Sequence, residues 1–165
     1  MEQRRTAIHE AGHAVAAQRL GRSIGIVTIL AEETRLGFAS SEDGLSVEAA
    51  RGDVLKSLAG YAALAAVDEP DPEAGCNDDF EQAADLLEFW RLAGTLDEWK
   101  AKAVGMMREP ENLKAVAVVA DQLLVTGRLE GDQVDMLVEL ADGNVTRADY
   151  DKFERNRVWA KSQRC

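Results

Sequence analysis

Apolar residues recur at intervals of three and four along nearly the whole chain, and only one short run breaks that rhythm in favour of β-branched side chains. A period near 3.6 buries one stripe of a helix, whereas a half-buried strand needs a period of two. The pattern therefore predicts a mainly α (α+β) chain: a helical domain with a small antiparallel sheet near the N-terminus. Ile8, Ala11 and Val15, with Ala7, Ala14, Ala16 and Ala17 between them, predict a first helix over 6–20 that stops at Gly21. The exception is 24–30, Ile-Gly-Ile-Val-Thr-Ile-Leu, which reads as a strand. Residues 36–40 are expected to pair with it across a turn at 31–35.

Beyond the sheet the helices follow in series. Ser46 is positioned to cap a long buried helix carrying Val47, Ala50, Val54, Leu58, Tyr61, Ala62 and Ala65, up to about Val67. Pro70, Pro72 and Gly75 then break the chain, and a helix is predicted from Asn77 or Asp78 to Ala93. Thr95 and Glu98 have capping-box spacing and open a helix to about Arg108. Further helices are expected around 113–124, closed by Gly127, and around 134–141, closed by Gly143. Thr146 opens a last, charged helix with Tyr150 and Phe153 on one side. The boundaries divide the chain into a domain over 1–143 and a C-terminal helix over 144–165, packed on it or on a partner.

At 165 residues the chain can bury roughly 70% of its unfolded surface without a disulfide framework. The two cysteines, Cys76 and Cys165, form no CxxC pair, which points to a reducing, cytoplasmic setting. The apolar stretches at 58–67 and 115–125 are too short to span a bilayer, and the start of the chain does not read as a signal peptide. A net charge of −11 disfavours nucleic acid and anionic lipid as partners. The basic residues near the C-terminus, Arg147, Lys152, Arg155, Arg157, Lys161 and Arg164, are interrupted by acidic ones in the first part of the run. Trp90, Trp99 and Trp159 are read as packing residues.

The first helix also carries chemistry. His9-Glu10-Ala11-Gly12-His13 separates two imidazoles by one helical turn, about 6 Å of rise and roughly 40° of rotation, so both rings can meet one ion. Zinc suits imidazole nitrogen, and Glu10, about 100° around the helix, suits a general base acting on water that the ion acidifies. Chance alone can place two histidines and a glutamate on one helix, but these are the only histidines in the chain. Gly12 also costs about 1 kcal/mol inside a helix, which implies close packing there. A catalytic zinc normally takes three protein ligands, so an Asp or Glu elsewhere, or Cys76, must supply the third.

Residues 5–15, Arg-Thr-Ala-Ile-His-Glu-Ala-Gly-His-Ala-Val, resemble the start of the peptidase domain of the FtsH family of membrane-bound, ATP-dependent zinc proteases. Leu58-Ala59-Gly60-Tyr61 is similar to that family's glycine-pair helix, and residues 75–83 to its Gly-Ala-Ser-Asn-Asp segment. Residues 27–30 and 36–38 fit its early strands, and 123–132 its late helix, turn and helix. The resemblance covers about 5–140 and implies a zincin-like domain in which His9, His13 and Asp79 hold zinc, with Asp78 or Glu73 as alternatives to Asp79. A competing role for Asp79, Asp78 or Asn77 is to cap the helix that follows. The chain departs from the family at Tyr61, Leu64 and Ala65, where an arginine and an acidic pair are usual, and it has no Walker-type phosphate loop.

These readings converge on a stand-alone zinc metalloendopeptidase acting on flexible or unfolded polypeptides, with Glu10 as catalytic base. A substrate strand is expected to add to the sheet edge at 27–30 or 37–40. The alternatives are an inactive interaction protein of the same fold, and the peptidase half of a split machine with a separate ATPase partner.

Overall fold

The computed structural model describes residues 2–30 and 46–163. Helix α1 (Glu2–Arg19) begins earlier than its apolar pattern suggests. Thr6, expected near the start, is an interior residue whose hydroxyl donates back to the Glu2 carbonyl at 3.1 Å. After Gly21, with φ of 64°, the chain enters strand β1 (Ile26–Thr28).

Helix α2 (Val47–Ala66) is capped as expected, the Ser46 hydroxyl accepting from the Ala49 amide at 3.1 Å. It crosses α1 at very short range, because small residues line both sides. A Cβ on Gly12 would run into the Ala59 carbonyl and lie 2.7 Å from the Ala63 Cβ. The turns after α2 are held from α1, where the Arg5 guanidinium donates to the carbonyls of Asp71 at 3.1 Å and Ala74 at 2.5 Å.

Helix α3 (Asn77–Phe89) stops short of Ala93, since Arg91 turns into the left-handed region with φ of 49°. Helix α4 (Leu96–Met107) opens on the Thr95 and Glu98 capping box, and α5 (Pro110–Thr126) carries proline at its first turn and ends at Gly127. Strand β2 (Arg128–Glu130) leads directly into α6 (Gly131–Asp142). Val15, Val54, Leu58, Val119, Leu123, Leu137 and Val138 are fully buried in one core shared by α1, α2, α5 and α6.

The strand pairing differs from the expected local hairpin. The observed partner of β1 is β2, antiparallel, with Val27 opposite Leu129. Residues 31–45, which include the expected turn and the expected strand at 36–40, lie outside the described residues. The stretch read as a plain turn between helices holds a strand because both flanks admit close backbone approach. The Ile29 amide donates to the Gly127 carbonyl at 3.0 Å, and Gly131 leaves room for the Ile24 carbonyl.

Helix α7 (Arg147–Ser162) rests on the domain through buried Tyr150 and through Glu130, which accepts from Arg157 at 2.7 Å and Lys161 at 2.5 Å. Its other face leaves Trp159 67% exposed, so this tryptophan does not pack on the chain as expected, whereas Trp99 is buried. Among the described residues no helix is long and apolar enough to cross a membrane.

Candidate metal centre

The site forms where α1, α2 and α3 meet. His9 and His13 project from consecutive turns of α1 over Gly60 of α2, which is where a side chain would block them. A Cβ at Gly60 would lie 2.5 Å from the His9 Cε1 and 2.6 Å from the His13 Nε2. Asp79, in the first turn of α3, completes the cluster. Its Oδ2 lies 3.1 Å from the His9 Nε2 and 3.4 Å from the His13 Nε2, and the two Nε2 atoms are 3.1 Å apart.

Three donor atoms so arranged form nearly an equilateral triangle. Ligands 2.0–2.1 Å from a tetrahedral ion lie roughly 3.3–3.4 Å from one another, so the triangle has the size of one face of such a site. His9, His13 and Asp79 could therefore hold a metal ion.

Ring orientation supports the same reading. The His13 Nδ1 lies 2.8 Å from the Lys56 carbonyl, which can only accept, so Nδ1 carries the proton and Nε2 presents its lone pair to the cluster. The electrostatics favour a positive charge at the centre. Burial works against a charged His13, yet the hydrogen bond and charge of Asp79, aided by Glu10 and the Lys56 carbonyl, raise its pKa above the ordinary value. Burial likewise opposes a charged Asp79, but hydrogen bonds and charge from His13 and His9 hold its carboxyl far below the usual carboxylate range.

The sequence alternatives for a third ligand lie elsewhere. Glu73 accepts from Lys100 at 3.0 Å. Asp78 is exposed and outside the donor cluster, though it borders the same cleft. The Cys76 sulfur lies on the far side of the His9 ring, 3.7 Å from Nδ1. Burial, followed by the charge of Asp79, pushes its thiol up to about 11. None of the polar residues caps α3 in the expected way. Cys76 is the N-cap and makes no side-chain cap hydrogen bond, while Asn77 and Asp78 are already helical.

The cluster opens into a cleft of about 660 Å³. Glu10 lines it beside the histidines, and residues 23–28, including β1, run along it. The sequence offers Cys76 as a candidate third ligand, not as a neighbour of the His9 ring, and gives Gly60 no role at the site. Compared with protein-family models and with curated proteins, the chain matches none.

Proposed function

We propose that this chain is a zinc-dependent metalloendopeptidase, an FtsH-peptidase-like domain that hydrolyses peptide bonds in flexible or unfolded polypeptides within a reducing, cytoplasmic compartment. The observation that carries the reading is the triangle of His9, His13 and Asp79 donors, set beside Glu10 in a cleft that a strand borders. Zinc bound there would polarise a peptide carbonyl and bring the pKa of water toward about 7.

The chain's own groups account for the remaining steps. Glu10 follows the first histidine on α1 and lines the same cleft, where it would take a proton from the attacking water. As the water oxygen bonds to the carbonyl carbon and the C–N bond breaks, the same carboxyl returns that proton to the departing amine. A peptide lying extended along 23–28 could be held in register by main-chain hydrogen bonds, since among the described residues β1 pairs with β2 along one edge. Ile24, Ile26, Ala14 and Ala17 give the cleft an apolar lining, which favours apolar side chains next to the scissile bond.

Zinc content and cleavage of an unstructured protein such as casein, measured for the native chain and for Glu10→Gln, test this. Both forms should bind one zinc ion, and the variant should lose turnover by about 10²- to 10⁴-fold. Bound zinc with no turnover in the native chain would refute it. That outcome would favour a second reading, an inactive interaction protein or the peptidase half of a split ATP-dependent protease. The exposed Val158 and Trp159 on α7 are the observation that favours it.

A further inference from the structure

The two histidines are oriented by different devices. The Lys56 carbonyl fixes His13, but among the described residues no backbone carbonyl accepts from the Nδ1 of His9. What stands there is the sulfur of Cys76, 3.7 Å away and 1% exposed. The same sulfur lies 3.4 Å from the Pro72 carbonyl, which can only accept. The Ala74 carbonyl stands 3.9 Å from the sulfur on the same terms, and a thiol proton donated to the nearer carbonyl, Pro72, leaves the sulfur lone pairs to the His9 ring. Cys76 occupies the N-cap of α3 and yet caps nothing, so its side chain is free for this contact.

We infer that Cys76 is the positioning residue for His9: its thiol accepts from the His9 Nδ1–H while donating to Pro72, and so holds the ring in the tautomer that presents Nε2 to the metal. The inference rests on the proposed zinc centre and extends it to a group that never touches the ion. The short segment entering α3 thereby does two jobs, orienting one ligand through Cys76 and supplying another in Asp79. A backbone carbonyl fixes a tautomer without any side chain, but here the device is genetically removable. An outer hydrogen bond of this kind is typically worth 10- to 100-fold in metal affinity.

Zinc affinity, measured by competition with a chromophoric chelator, distinguishes this role from simple filling of space. The probe set is the native chain with Cys76→Ser, Cys76→Ala and Cys76→Val. Serine keeps a group that accepts from His9 and donates to Pro72, so its affinity should stay near native, while alanine and valine should each lose about 10- to 100-fold. Cobalt absorption of the loaded proteins should show native-like ligand geometry for serine and a disturbed spectrum for the apolar variants. Melting of the metal-free proteins identifies any variant that fails to fold. If alanine or valine binds zinc as well as or better than serine, the cysteine only fills space and the inference is overturned. A native chain that binds no zinc overturns the metal centre itself, and the inference with it; native binding that alanine leaves unchanged overturns the inference alone.

Discussion

Replacing Gly60 by alanine should remove the metal site while leaving the fold nearly intact. The new methyl carbon would sit 2.5 Å from the His9 Cε1 and 2.6 Å from both the His9 Nδ1 and the His13 Nε2. Non-bonded carbon contacts settle near 3.5–4.0 Å, so the rings must retreat by about 1 Å. Neither has slack: His13 is tied to Lys56, and His9 is wedged between Cys76 and Asp79. Metal–ligand distances tolerate only about 0.2 Å, so a shift of that size detaches at least one ring. Zinc affinity should fall by at least about 100-fold, or ~2.7 kcal/mol. Fold stability responds differently, because alanine recovers about 1 kcal/mol of helix propensity against an overpacking cost of about 1–3 kcal/mol. Gly12→Ala offers the contrast. Its methyl would meet the Ala59 carbonyl, rigid backbone, so the cost falls on the crossing of α1 and α2 and on the whole fold. Chelator competition and thermal melting of the metal-free proteins read the two effects separately. Native zinc affinity in Gly60→Ala, or equal melting losses in the two variants, would refute this reasoning.

Asp79→Asn should weaken zinc binding by more than the roughly 10- to 100-fold typical of losing an outer hydrogen bond, while Asp78→Asn should stay close to native. Isothermal titration with zinc compares them, and a larger loss in Asp78→Asn would reassign the ligand. Arg19 and Asp142 form a two-pronged bridge between α1 and α6, with contacts of 2.6 and 2.7 Å, and the hydrogen bond from Arg19 holds the Asp142 carboxyl below its ordinary 3.8. A depressed carboxyl contributes stability above its unfolded pKa and loses it as pH falls through the folded one. Asp142→Asn should therefore cost about 1 kcal/mol at neutral pH and flatten the acid limb of stability below about pH 4, as followed by urea melts.

Much of this architecture was legible because local chemistry specifies it. Ser46, Thr95 and Thr146 announce helix starts through hydrogen bonds made within three residues, and Gly127 and Gly143 end helices because their left-handed φ disfavours a side chain. His9 and His13 were visible because helical periodicity alone makes them neighbours. Their meeting with Asp79 was suggested by resemblance, since no local pattern links residue 79 to α1. The β1 and β2 pairing was not legible. Three residues between two glycines carry no period, and the partners lie about 100 residues apart. The role of Gly60 and the place of Cys76 against His9 were not legible for a related reason: both are defined by what approaches them from other helices.

Asp79 lies beyond α2 in the sequence, about 70 residues after His9, so an ion shared among them would tie the first half of the chain into a closed loop. The closure entropy of such a loop grows only slowly with its length, about 0.6 kcal/mol per doubling. The ion would thus act as a removable crosslink, with part of its binding free energy appearing as folding stability. Supply of the metal would then govern how long each molecule survives in the cell as well as whether it works.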